Sequence, residues 1–481
     1  MQPSVKIATN SAILFLSKVI AGIGALLASV VVVRYLEAKG YGQYSIVFAY
    51  LSFFQILTGL GIDTIVIKEL SINHLNRERL VGNAILMKLA FSLLAVITAC
   101  IIAQFMGYSH EIRLLIYMAS LSMLFSFNSL YVGILQVNFK AMYYAVPELV
   151  VSLISSCVMI LLALFKYSLG YFVFAQAATI IPLTFFYRYY AHHATGFKPS
   201  YSIDFNIWKS LLLDSWPIFF SSVFITINMR IDQVMLYDML GANSLGLYSA
   251  LVRIVESLNI IPSLFMVSVY PMLCSNFAKS PATFSKICGY SFKYMSILII
   301  PGSIMAFLLS KQILSTLYGN SFADASSAFS ILMFSEIFVF LGVVNGSIFY
   351  ASGLQKILLI FPILGALSNI AFNIILIPRY GIAGASLSTL LSYSIGIPLQ
   401  YYITDTRQIT RDYLRSMIKP LISSIPMVLF VYYCSSYNFI FLIFVSIPLV
   451  FIPLILTKCL GKEDLLYLRE IISFAKKKDP R

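Results

Sequence analysis

Ten ionisable residues stand inside long apolar runs of this chain: the cations Lys18, Lys88, Arg230, Arg253 and Lys293, and the acids Asp63, Glu148, Asp232, Glu256 and Glu336. Asp214 stands at the edge of another such run. One charge at the centre of a bilayer costs about 3 kcal/mol or more, so each needs either a function or a partner. Cations in this setting can hold a phosphate group. The acids can carry a coupling proton or neutralise a cation, and both readings stay open. Glu256 follows Arg253 by three residues and shares its helix face, so Arg230, Arg253 and Glu256 fit an ion-pair cluster as well as a phosphate or proton site. Asp232 points away from Arg230 and needs another partner. Lys88 and Lys293 are about five or six residues from span ends, where a lysine can snorkel to water or line a wet vestibule. Lys18 is deeper, which favours a cavity-facing role. Glu148 follows Pro147 near a helix start, where the positive dipole end steadies an anion, so its expected role is structural.

Other chemistries lack their residues. There is no Gly-x-x-x-x-Gly-Lys-Ser/Thr for a nucleotide-driven pump, and no Gly-x-Ser-x-Gly or His-Glu-x-x-His. The histidines His74, His110, His192 and His193 show no metal-ligand spacing, and His192-His193 beside Tyr189-Tyr190 suits an interfacial loop. The six cysteines include no Cys-x-x-Cys pair and fit as small core residues. No metal, cofactor or catalytic residue is expected, and the chain is not expected to be an enzyme. Tyr143-Tyr144, Tyr189-Tyr190 and Tyr401-Tyr402 fall at span ends, as interface belts require, and Gly342-x-x-x-Gly346 permits close helix packing.

The elements that position these residues must be membrane helices. Of 481 residues, 60% are hydrophobic and 11% charged, with a mean hydropathy of +0.89. A globular surface needs roughly a quarter of its residues charged, so several soluble domains are excluded. The net charge of +14 is spread thinly, with one run at Lys476-Lys477-Lys478 and no arginine-rich helix, which argues against nucleic acid. The expected fold is an all-α polytopic membrane protein with about fourteen transmembrane helices. Apolar runs long enough to cross the hydrocarbon lie near 9–33, 44–67, 82–106, 112–136, 143–165, 169–190, 212–237, 246–272, 288–310, 327–351, 357–377, 382–403, 417–435 and 437–457. Ser435-Ser436-Tyr437-Asn438 alone turns the chain between the last two.

Charge sets the orientation. Of 33 basic residues, five are inside spans and six are on one side (Arg34, Lys39, Arg113, Lys166, Lys311 and Arg379), which leaves 22 on the other. The basic side is expected to be cytoplasmic, with both termini there. The opposite side is nearly bare, its longest connection being about 310–326. The longest basic-side loop among the first twelve spans, about 191–211, reads as a linker between halves.

A repeat supports two halves. Leu36-Glu-Ala38-Lys-Gly-Tyr-Gly42-Gln-Tyr44-Ser45 and Leu240-Gly-Ala242-Asn-Ser-Leu-Gly246-Leu-Tyr248-Ser249 share Leu, Ala, Gly, Tyr and Ser at one offset. With six spans in each, the halves are expected as two parallel-repeat six-helix bundles. The expected division is an N-terminal lobe at 1–200, a second lobe at 201–403, and two additional helices with a basic tail at 404–481.

Gly59-Leu-Gly-Ile-Asp63-Thr64 with Lys68-Glu69-Leu70, Arg230-Ile-Asp232-Gln-Val-Met-Leu236 leading into Gly246-Leu-Tyr248-Ser249, Leu317-Tyr-Gly319 and Pro378-Arg-Tyr-Gly381-Ile-Ala-Gly384-Ala385 follow one another in order. Over roughly 5–403 this pattern resembles the bacterial polysaccharide-unit flippases for O-antigen and exopolysaccharide (Wzx-type), a branch of the multidrug/oligosaccharidyl-lipid/polysaccharide exporter superfamily. That family often has Gly-Pro after the Leu of the first outer loop, and Glu37-Ala38 stands here instead. The resemblance implies a flippase that moves an undecaprenyl-diphosphate-linked oligosaccharide from the cytoplasmic to the outer leaflet of the bacterial inner membrane. It also implies the lipid-linked oligosaccharide and membrane lipids as partners, with a polysaccharide polymerase and a chain-length regulator as further ones. Lys18, Lys88, Arg230, Arg253 and Lys293 are the candidate substrate-binding cations. A cation-coupled multidrug exporter or a peptidoglycan-precursor flippase shares the fold class. A membrane-embedded polymerase or transferase is the alternative of a different class, though the short outer loops leave little room for its acids and arginines.

Overall fold

The structure is a computed structural model that describes residues 3–72, 76–434, 437–457, 459–461 and 464. His74, the turn residues Ser435-Ser436 and the basic run Lys476-Lys477-Lys478 lie outside the described residues. Among those described, every regular element is helical. This is the composition's demand: an apolar chain in lipid must satisfy each backbone N–H and C=O within its own segment. Contacts divide the chain into two compact units, one ending at Ser249 and one beginning at Ala250.

The first unit holds α1 (Pro3–Gly59), α2 (Ile62–Ile72), α3 (Arg77–Phe105), α4 (His110–Ser120), α5 (Asn128–Val137), α6 (Met142–Leu164), α7 (Leu169–Ala178), α8 (Ile180–Thr195) and the larger part of α9 (Phe205–Leu258). Its core forms where α1 packs on α6 and α3, and where α5 packs on α8 and α2. The second unit continues with α10 (Ile260–Phe277), α11 (Pro281–Leu308), α12 (Ser310–Tyr318), α13 (Ser326–Ala351), α14 (Gln355–Leu358), α15 (Ile360–Ser394), α16 (Gly396–Tyr402), α17 (Thr404–Ser423), α18 (Ile425–Tyr433) and α19 (Phe439–Leu456). There α11 and α13 pack together, α15 lies on α13, and α17 lies on α11.

Ten stretches of described residues are long and apolar enough to cross a membrane, so length and composition alone do not reach fourteen. Three of the ten, Leu14–Ile72, Phe205–Phe277 and Ile360–Tyr402, are far longer than one crossing needs. Each contains a helix broken at one residue of positive φ: Glu37 in α1, Gly241 in α9 and Gly381 in α15. These breaks fall where the sequence places loops, so those connections are kinks joining two helices. The expected 310–326 connection is itself folded, as α12 and a short 3-10 turn at Asn320–Ala325.

Glu37 (φ 55°, ψ −176°) and Gly241 (φ 80°, ψ −178°) occupy matching positions of the two repeat motifs. The chain therefore bends in the same way twice. Glycine adopts that conformation freely, whereas a glutamate there carries strain of about 1–3 kcal/mol. The two motifs also meet each other. A methyl added to Gly42 would land on the carbonyl oxygen of Ala242, and one added to Gly246 on that of Ala38. Gly42 and Gly246 correspond in the repeat, as do Ala38 and Ala242, so the contact is reciprocal and brings backbone onto backbone.

The expected 191–211 linker is shorter and firmly held. α8 runs on to Thr195, which puts His192 and His193 in its last turn instead of in a loop, with His193 stacked on Tyr189. The remaining segment lies on the first turns of α3. The Ser200 N–H donates to the Glu78 carbonyl at 3.0 Å, and the Ser200 carbonyl sits where a side chain at Gly82 would be. Asp204 caps α9 by accepting from the Asn206 N–H at 2.9 Å. It also accepts from Arg79 at 2.8 Å, while its own N–H donates to Asn83 at 2.7 Å.

Candidate functional site

The most completely built charged site is in the first unit. Leu60 and Gly61, both at positive φ, end α1 and let α2 start afresh at Ile62. This places Asp63 in the first turn of α2, where unpaired N–H groups favour an anion. Lys88 reaches it from α3. Its ammonium donates to both Asp63 oxygens, at 2.7 and 2.8 Å, and to the Ser129 hydroxyl on α5 at 2.7 Å. That hydroxyl in turn lies 2.8 Å from Asp63 Oδ1 and 2.9 Å from the Ser126 carbonyl. An ammonium has three protons, and all three are used. Lys88 is 1% exposed, so it neither snorkels nor faces an open vestibule. The Asp63 side chain stays 33% exposed.

Asp232, the acid that needed a partner, finds one on its own helix. It is buried on α9 ahead of the Gly241 kink and accepts from the Tyr248 hydroxyl beyond the kink at 2.8 Å. Lys18 is exposed on α1, Arg230 is partly buried on α9, and Glu148 is exposed in α6 just after Pro147.

In the second unit Arg253 and Glu256 are both partly buried near the end of α9. Glu336 on α13 is 3% exposed, and its Oε2 has no hydrogen-bond partner among the described residues. Lys293 on α11 donates to Asp464 at 2.5 Å, and the ammonium lies 5.3 and 5.8 Å from the ring centroids of Tyr290 and Tyr294. Asp464 also accepts from the Tyr294 hydroxyl at 3.0 Å and the Gly461 N–H at 2.8 Å. Burial pushes this carboxyl up, but the Lys293, Gly461 and Tyr294 hydrogen bonds and the Lys293 charge outweigh it. Asp464 is held below the usual carboxylate range.

The candidate charges thus form separate clusters: Lys88 with Asp63, Asp232 with Tyr248, and Lys293 with Asp464. Ser129, Tyr248, Tyr294 and Asp464 were missed as partners. Tyr248 carried a signal, since it belongs to the repeat motif; Ser129 carried none, and Asp464 lies beyond the residues that bear the family resemblance. No group of three or more metal-ligating side chains occurs among the described residues.

This arrangement of helices is shared with solved transporters. The fold matches that of the lipid II flippase MurJ in an inward closed conformation, with a TM-score of 0.75 and 19% identity over 92% of this chain and 97% of that one. It also matches a multidrug resistance MATE family transporter of the MOP superfamily in an inward-facing conformation, with a TM-score of 0.58 and 15% identity over 87% of this chain and 98% of that one. The chain therefore has the fold of these transporters, and it is a multi-pass membrane protein. It belongs to the polysaccharide biosynthesis protein family, which matches residues 7–277. Among relatives, a Shigella flexneri protein whose name proposes O-antigen transport is 22% identical over 74% of this chain and 87% of its own length. The capsular polysaccharide biosynthesis protein CapF of Staphylococcus aureus is 23% identical over 45% of this chain. The aligned part spans about half of CapF, 54% of its length.

Proposed function

We propose that this chain is a flippase that moves an undecaprenyl-diphosphate-linked oligosaccharide unit from the cytoplasmic to the outer leaflet of the bacterial inner membrane by alternating access. One observation carries the reading: a chain of a polysaccharide biosynthesis family follows a lipid flippase fold over 92% of its length. Residues 1–200 and 201–403 are the two moving lobes of this proposal, and 404–481 is an addition to them. A polysaccharide polymerase and a chain-length regulator are proposed partners; their co-purification with the tagged protein tests that point.

A diphosphate leaving water needs cations, because an unpaired buried charge costs several kcal/mol. Lys88 and Lys293 are engaged by acids. Lys18 and Arg253 have no carboxylate within 4 Å among the described residues, so they are the cations best placed to meet a substrate. Deleting the gene should make the lipid-linked oligosaccharide accumulate on the inner leaflet. Lys18→Ala or Arg253→Ala should reproduce that block at normal membrane abundance, and Lys18→Arg should keep part of the activity. Normal export by both alanine variants would reject the two cations as substrate ligands. Normal surface polysaccharide in the deletion strain would reject the flippase reading itself.

The sidedness follows from charge, with 22 basic residues against six. In a cysteine-free background, a cysteine at Ser200 should resist a membrane-impermeant maleimide added to intact spheroplasts, and one at Ser321 should react. Both positions are exposed, so the inverse pattern would reverse the orientation.

A further inference from the structure

In the second unit, α17 turns one face toward α11. Asp412, Arg415, Ser416 and Lys419 recur at helical spacing, so all four share that face. With Gly289 and Lys293 of α11 and Cys459 beyond α19, they line a cavity of about 280 Å³. At ~30 Å³ for each water of liquid, that is room for roughly nine waters, enough for a phosphate group with part of its hydration. Three of the seven lining residues are cations and one is an acid.

The cations differ in how they are satisfied. Lys293 is taken by Asp464, which is 5% exposed and accepts from three donors at once. A carboxylate gathering an ammonium, a hydroxyl and a backbone N–H is bound much as a phosphate oxygen would be. Arg415 and Lys419 are exposed and have no carboxylate within 4 Å among the described residues. Asp412 on the same face accepts from the Gln408 amide at 3.3 Å. A clasp for the C-terminal segment would need only Lys293 and Asp464. Two further cations lining the same cavity serve no such clasp.

We propose that this cavity binds a phosphate group, borne either by an anionic lipid headgroup or by a soluble diphosphate, and that Asp464 is an internal competitor holding its Lys293 arm. Arg415 supplies a planar fork suited to two phosphate oxygens, and Lys293 and Lys419 supply point charges. A phosphate that arrives takes Lys293 from Asp464 and adds Arg415 and Lys419, which a single carboxylate does not reach. The inference rests on residues 289–464 and does not require the chain to transport anything.

The test uses the full chain in nanodiscs of phosphatidylcholine at low salt, with inorganic diphosphate as the probe and calorimetric titration as the readout. Asp464→Asn should tighten binding by about tenfold, because the competing carboxylate has lost its charge. The double variant Arg415→Gln/Lys419→Gln should weaken it by about tenfold or more; both residues are exposed, so the fold should survive, and the thermal unfolding midpoint checks this. Unchanged affinity in the double variant, or weaker binding by Asp464→Asn, would overturn the proposal. A second arm identifies the source of the phosphate. Phosphatidylglycerol at a fifth of the nanodisc lipid should compete with diphosphate and be retained by the wild type, but not by the double variant, in native mass spectrometry. Such retention assigns the site to a lipid headgroup. Diphosphate binding without it assigns the site to a soluble ligand. Failure of both ligands to bind rejects the site.

Discussion

Lys88→Met is expected to clear the protein from the membrane. The substitution leaves Asp63 with Ser129 alone, inside a helical bundle, without the ammonium that gave each of its oxygens a hydrogen bond. Breaking a buried pair by removing one partner costs about 3–5 kcal/mol, and the partial exposure of Asp63 puts the value near the lower end. Domains are stable by only about 5–15 kcal/mol, so a loss of this size shows as poor accumulation and a lowered unfolding midpoint in detergent. The double variant Lys88→Met/Asp63→Leu removes both charges and should recover most of the abundance. Recovered protein that still fails to export would show that the pair also serves transport. Wild-type abundance in Lys88→Met would mean that the pair contributes nothing to folding.

Gly246→Ala should be almost as damaging, for a steric reason. The added methyl would occupy the space of the Ala38 carbonyl oxygen, and backbone on both sides of the contact would have to move. Overpacking ordinarily costs about 1–3 kcal/mol, and here no flexible side chain can yield, so the upper end applies. Because the contact is reciprocal, Gly42→Ala should cost about the same. Gly342→Ala and Gly346→Ala serve as controls: nothing lies within 4 Å of a methyl at either position, and both variants should accumulate and unfold as the wild type does. A silent Gly246→Ala would show that the two repeat motifs do not need their close approach.

That contrast shows where sequence reading reached and where it stopped. Gly342-x-x-x-Gly346 has the spacing of a close-packing motif, yet the space around both glycines is open. Gly42 and Gly246, which do bring backbone onto backbone, are about two hundred residues apart and were visible only through the repeat. Helix positions were legible because the bilayer imposes both length and apolarity on a segment. Intramembrane charges were legible because they are costly. Their partners were not, since which face of α3 meets α2 and α5 is a matter of packing that no local pattern encodes. Lys88 reads as a residue near a span end and proves to be fully enclosed. Asp232 reads as an acid that needs a partner other than Arg230, but which one depends on the kink at Gly241, beyond which Tyr248 donates to it. The kinks themselves hid in the composition: Gly241 and Gly381 announce a break, but Glu37 does not, and only its register with Gly241 shows why the chain bends there.

The segment between α8 and α9 also has a mechanical meaning. Nine free residues would have an end-to-end distance of roughly 17 Å, slack enough to let the start of α9 wander independently of α3. The bonds of Ser200 and Asp204 to Glu78, Arg79 and Asn83 take up that slack. Displacement at the start of α9 is then passed directly to the first turn of α3, so the two helix ends move as one lever while any bending falls within the helices, where α9 carries Pro217.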